Sequence, residues 1–214
     1  MDNIPFTDAE RRAAKATQHG AFGVNLKAVR TAVYEILKEW KSAGFFTEYT
    51  DHSFDHVLDM LRASEWIIPE DTKKIMTDAD WLLLVLSVYL HDVGLLITSK
   101  EFNSRKGNHD YNRFIANPIL TGDKQREYEA RLEQMPKEEA ERFKYQEFVR
   151  YTHGQRVAAW LSGQPLDDEG ATKDAAKAFA ELLRPLDDTF KKDLALVCES
   201  HTLDNLDDTS IYKV

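Results

Sequence analysis

The sequence predicts an all-α fold. Nine glycines and six prolines in 214 residues leave few turn signals. No stretch sustains the period-2 alternation of a half-buried strand, and apolar residues instead recur at helical spacing between capping words. The length suits one domain or at most two small ones. An apolar share of 43% with 11% aromatics supplies a core and excludes a disordered chain.

The first helix is expected to start at Thr7, with Glu10 three residues on completing a capping box. A second spans about Asn25 to Ser42, where Val29, Val33, Ile36, Leu37 and Trp40 share a face and Gly44 supplies a C-cap. A third spans about His52 to Trp66, followed by an Ile67–Asp71 connector. The helix from Asp78 to Leu90 is apolar nearly all round, through Leu82, Leu83, Leu84, Val85, Leu86, Val88 and Leu90, so it is expected to be central. Thr98–Asn108 is polar and reads as a loop. Helices follow near Asp110–Ala116 and Lys124–Gln134, and Pro136 opens a long one to about Trp160. Ser162–Gly170 is the clearest loop, and Pro185 separates the last two helices, Ala171–Leu183 and Asp188–Glu199. The charge-rich stretch Asp123–Arg142 reads as a solvated helical pair.

A net charge of −9 disfavours broad, sequence-neutral binding to duplex nucleic acid, while leaving room for a small anion at a local basic site. The single cysteine, Cys198, excludes an intrachain disulfide framework and a cysteine-rich zinc site. It fits a reducing compartment. The longest apolar run, Trp81–Leu90, is far short of the ~20 residues of a membrane span. Met1–Phe6 carries neither a basic nor an apolar leader region, so a cytoplasmic protein is expected.

Seven histidines hold most of the chemical information. His52 and His56 lie four apart on one predicted helix face, where two imidazoles can share a metal, or one can bind metal while the other donates to a substrate oxygen. Asp51 reads as the N-cap of that helix, and Asp55 can orient one of the rings. His91-Asp92 closes the most apolar helix, where a carboxylate needs a compensating partner and a bound cation is a good one. Gly94 lets the chain turn away directly afterwards. His153 is flanked three residues either side by Arg150 and Arg156, an arrangement that can hold a phosphate against a metal. His201 ends the last helix, where a plain C-capping role is also open. His19 beside Gly20 reads as a C-cap and His109 as solvated.

Taken in order, His56, His91-Asp92, His153 and His201 resemble the HD superfamily of metal-dependent phosphohydrolases. Asp51–Val57 is similar to the His-x-x-x-His opening of many members. Tyr89-Leu90-His91-Asp92-Val93-Gly94 is similar to their Leu-x-His-Asp-(Ile/Val/Leu)-Gly word. Phe148–Trp160 and Leu196–His201 resemble the segments that supply further histidines in metal-rich members. The resemblance runs from about Thr47 to Asp204 and is nearest to the HD module found fused to chaperone-like GHKL ATPases and in conflict systems. It implies one helical domain over 1–214, with N-terminal helices in 1–45 and a metal-binding core in 47–204.

The resemblance further implies one or two divalent ions (Mn, Fe, Ni, Co, Zn or Mg) held by His56, His91, Asp92, His153 and His201, with Asp92 shared. His52 and Asp92 would be catalytic, and Arg150, Arg156, Lys100 and Arg105 would hold an anionic substrate, in the first instance a nucleotide. The implied reaction is hydrolysis of a phosphomonoester or phosphodiester. The alternatives are a non-catalytic HD regulatory or interaction module, with an ATPase domain or protein as partner, and a nuclease acting on single strands. One departure stands out. The late aspartate of the family word is missing, and only Asp204, Asp207 and Asp208 follow His201. Either that aspartate lies beyond this chain or the site is completed differently.

Overall fold

The computed structural model describes residues 4–20, 22–43, 53–117, 122–162 and 171–202, with the backbone alone at 39–43, 124 and 171–176. Among them the helices are α1 (Asp8–Ala16), α2 (Leu26–Ala43), α3 (Phe54–Ile67), α4 (Glu70–Ile75), α5 (Asp78–Leu90), α6 (Ser99–Ser104), α7 (His109–Ala116), α8 (Gly122–Gln134), α9 (Lys137–Leu161), α10 (Ala171–Leu183) and α11 (Asp188–Ser200). Two 3₁₀ turns, Val93–Leu95 and Arg105–Gly107, flank α6. The fold is all-α: no β-strand occurs among the described residues, and an isolated bridge joins Phe22 to Leu186.

Local chemistry sets the helix starts. At α1 the Thr7 hydroxyl accepts from the Glu10 amide at 3.2 Å, and the Glu10 carboxylate accepts from the Thr7 amide at 2.6 Å. Thr77 and Asp80 start α5 with the same reciprocal pair. Three expectations need correction. The cap of α3 is Ser53, not Asp51. The supposed 67–71 connector already contains the start of α4, a helix with no buried residue and therefore no apolar period to announce it. The supposed 98–108 loop contains α6 and a 3₁₀ turn, started by the Thr98 hydroxyl accepting from the Glu101 amide at 3.1 Å. Gly44, Asp51, His52 and most of the 162–170 loop lie outside the described residues.

α5 is the hub. Leu82, Val85 and Leu86 are fully buried, and α1, α3 and α11 pack around it. The small residues Ala9, Ala13 and Ala16 are buried on α1, which lets that helix approach closely. Each large aliphatic side chain buried this way contributes about 1.5–3 kcal/mol. A buried polar set locks the same corner. Glu10 pairs with Arg30 of α2 at 2.8 Å and accepts from the Tyr89 hydroxyl of α5. The long α9 packs on α10, on α11 and on the 93–95 turn. Trp160 stacks on Phe179 of α10, with ring centroids 6.3 Å apart. Tyr111 of α7 meets Tyr145 and Phe148 of α9 at 5.0 and 5.5 Å. No single helix among the described residues is long and apolar enough to cross a membrane.

Candidate metal centre

α5 carries its chemistry at its C-terminal end. His91 is the C-cap and Asp92 the next residue, 7% exposed, at the start of the 3₁₀ turn. His153 lies buried within α9, His201 is the C-cap of α11, and His56 sits in the first turn of α3. His56, His91 and Asp92 offer ligand atoms within 4.8 Å of one another, and so do Asp92, His153 and His201. Asp92 belongs to both groups. Its Oδ2 lies 2.9 Å from His91 Nε2, and its Oδ1 lies 3.6 Å from His153 Nε2 and 3.9 Å from His201 Nε2.

Two glycines make this convergence possible. A Cβ at Gly94 would stand 2.1 Å from the carbonyl oxygen of His153, so the turn after Asp92 rests directly on the α9 backbone. A Cβ at Gly154 would stand 2.8 Å from the carbonyl oxygen of Cys198 and 2.9 Å from Glu199 Cα. α9 and α11 thus touch backbone to backbone next to both His153 and His201. Gly94 does lie in the turn that carries the chain away from Asp92. Its φ is not positive, and close approach, not left-handed geometry, is what requires a glycine there.

Three of the rings are oriented by one device. His91 Nδ1 lies 2.9 Å from the carbonyl of Val88, His153 Nδ1 2.6 Å from that of Arg150, and His201 Nδ1 2.5 Å from that of Cys198. A carbonyl can only accept, so each Nδ1 carries the hydrogen and each Nε2 is turned to the cluster. His153 Nε2 and His201 Nε2 then stand 2.7 Å apart. Between neutral rings that contact sets one lone pair against another, and a shared proton or cation is needed to satisfy it. Burial first, and then the charge of His153, push His201 down to about 4, which leaves it neutral near pH 7. Burial also works against an imidazolium at His91, yet the hydrogen bond and charge of Asp92 outweigh it and hold His91 above its ordinary value. Imidazole nitrogens with fixed tautomers around a shared buried carboxylate fit a divalent metal ion, and this cluster can hold one.

The residues expected to bind substrate fare differently. Arg156 is 3% exposed, and all three of its guanidinium nitrogens are engaged. Nε donates to the Gly94 carbonyl at 2.7 Å, one terminal nitrogen to Glu101 at 2.6 Å, and the other to the Leu96 carbonyl at 2.8 Å and to Glu101 at 3.2 Å. It holds the chain together, which corrects its expected role as a phosphate clamp. Arg105 lies over the Phe102 ring at 4.1 Å, donates to the Phe102 carbonyl and reaches Glu141 at 3.5 Å. Arg150 is exposed and pairs with Glu147 at 2.9 Å, while Lys100 is exposed on α6. Asp55, His19 and His109 are exposed as well. His52, Asp204, Asp207 and Asp208 lie outside the described residues. Sequence reasoning missed Glu101, the acid that neutralises Arg156 from 55 residues away, and Tyr145, whose hydroxyl donates to Glu101 at 2.8 Å. It also missed Gly154. No local signal marks a close approach between distant helices.

Neither the curated proteins nor the solved structures return a match. The HD-CE family model matches residues 46–214, a span that includes His56, His91, Asp92, His153 and His201. With most of its length matched and the histidines and aspartate of the HD order gathered at one place, the chain belongs to the HD-CE family.

Proposed function

We propose that this protein is a metal-dependent phosphohydrolase that cleaves a phosphomonoester or phosphodiester, with a nucleotide as the leading substrate class. The observation that carries the reading is the sharing of Asp92 between His56–His91 and His153–His201, which provides for one ion or for two. A bound transition metal would make hydroxide available from water near neutral pH and would polarise a phosphoryl oxygen. The chain's own groups would do the rest. Asp92 offers an oxygen to each half of the cluster. The carbonyls of Val88, Arg150 and Cys198 hold three rings with Nδ1 as donor and Nε2 toward the cluster, and at His91 the proton that Nε2 gives to Asp92 would be replaced by a metal. Lys100 and Arg150, both exposed, can turn toward an anion. His52 is assigned the protonation of a leaving oxygen.

The test is turnover of an aryl phosphate, a bis-aryl phosphate and a nucleotide panel by protein loaded with Mn²⁺, Ni²⁺ or Co²⁺. Activity that disappears in Asp92→Ala supports the reading, and activity that survives it refutes the assignment. A second reading, an HD module that binds metal without catalysis, is favoured by a specific feature: Arg105, Arg150 and Arg156 each face a carboxylate of this chain. Metal-loaded protein that turns over none of these substrates would support it.

A further inference from the structure

The cluster is assembled across a seam. On one side is the turn after α5, with His91 and Asp92. On the other is α9, with His153. The seam has no covalent link, and the distance between Asp92 and His153 is set by whatever fixes the 93–96 backbone to α9. Two contacts do so. Gly94 rests on the His153 carbonyl, and Arg156, one turn beyond His153 on the same face of α9, donates across the seam to the Gly94 and Leu96 carbonyls.

The Arg156 fork is itself held. Glu101 accepts from both of its terminal nitrogens and from the Tyr145 hydroxyl, and the Arg156 and Glu101 side chains are 3% and 1% exposed. A buried ion pair contributes little to net stability against a well-packed apolar replacement, so its stability value alone is a weak reason for such an arrangement. A planar fork that donates in two directions supplies geometry, which a point charge cannot.

We propose that Arg156, oriented by Glu101, is a positioning residue for the metal cluster: it fixes the Asp92 turn against His153 and thereby sets metal affinity without touching the metal. The proposal rests on the reading that this cluster holds a metal ion. It adds two residues to the site, one of them on α6, the helix that also carries the exposed Lys100. A change in α6 would reach the cluster through Glu101 and Arg156.

The experiment is a Co²⁺ titration of metal-free protein, followed by visible absorption and compared among wild type, Arg156→Lys, Glu101→Gln and His153→Ala. Lysine keeps the charge opposite Glu101 and loses the fork. Glutamine keeps the shape and loses the charge. Both variants are expected to retain the wild-type far-ultraviolet circular dichroism, to bind Co²⁺ about 10–100-fold more weakly, and to show altered d–d bands. A purely structural role would lower the unfolding temperature and leave bands and affinity unchanged in the folded fraction.

If wild type takes up no Co²⁺, the metal reading itself fails. If His153→Ala binds Co²⁺ as wild type does, the half of the cluster that Arg156 is said to position holds no metal and the positioning proposal is overturned. If His153→Ala loses binding while either folded variant keeps wild-type affinity and bands, the metal reading stands and the positioning proposal is overturned. If neither variant folds, Arg156 serves the whole fold and not the site, which also overturns it.

Discussion

Gly154→Ala tests the packing that assembles the site. In the middle of a 25-residue helix, alanine is favoured over glycine by about 0.8–1.0 kcal/mol on propensity alone. The structure predicts the opposite net sign. The added Cβ would lie 2.8 Å from the Cys198 carbonyl oxygen, 2.9 Å from Glu199 Cα and 3.1 Å from the Glu199 carbonyl oxygen, and all three are backbone atoms that no side-chain rotation can move aside. Ordinary contact begins at about 3.5 Å, so α9 and α11 must part by about 0.7 Å. Overpacking of this kind costs about 1–3 kcal/mol, and the rigid backbone on both sides puts this site at the upper end, which after the propensity gain leaves a net loss of up to about 2 kcal/mol. For a chain of this length that is a fall of up to about 8 °C in unfolding temperature. The same carbonyl of Cys198 holds the His201 ring, so metal affinity should fall with it. Thermal unfolding of the metal-free variant beside wild type, followed by Co²⁺ titration, reads both effects. A variant that unfolds at or above the wild-type temperature and binds Co²⁺ equally well would refute the backbone contact between α9 and α11.

Further predictions concern charge and burial. Below about pH 6.5 an unfolded histidine takes up a proton, whereas folded His201 resists doing so down to about 4. His201 should therefore subtract stability from the metal-free protein as pH falls from about 6.5 toward 4, against the opposite contribution of His91, whose raised value favours the folded state at low pH. His201→Gln should remove that part of the slope in urea unfolding series, and an unchanged slope would contradict the burial of this ring against His153. Tyr89→Phe deletes a buried donor to the Glu10 carboxylate and should cost about 1.5–3 kcal/mol by chemical unfolding. A loss below about 0.5 kcal/mol would mean that Arg30 and the Thr7 amide satisfy Glu10 without it.

What the sequence made legible follows from the range of its signals. The start of α1 and the whole of α5 were readable because their cues are local: a threonine with an acid three residues on, and an unbroken apolar run. The end of α1 was not, since Thr17 caps it and His19 does not. The short α4 escaped because it buries nothing. The start of α6 did carry a local cue, Thr98 with Glu101 three residues later, but the polar stretch around it read as loop. The gathering of His56, His91, Asp92, His153 and His201 was legible through the order of the HD words and not through spacing, since four separate segments contribute. Arg156 was misread because its sequence neighbour is a histidine of the cluster, while its true partner, Glu101, comes from another helix. Gly154 was not read at all, because a glycine that admits another backbone looks in sequence like any helix-weakening residue.

The central claim, that this cluster is a metal centre, is tested most directly by elemental analysis of the protein as purified and after reconstitution with transition metals, beside Asp92→Ala. Because Asp92 is common to both ligand groups, the account predicts one to two ions per chain in the wild type and loss of the metal in the variant. Wild type that takes up no metal, or a variant that holds as much as wild type, would contradict it.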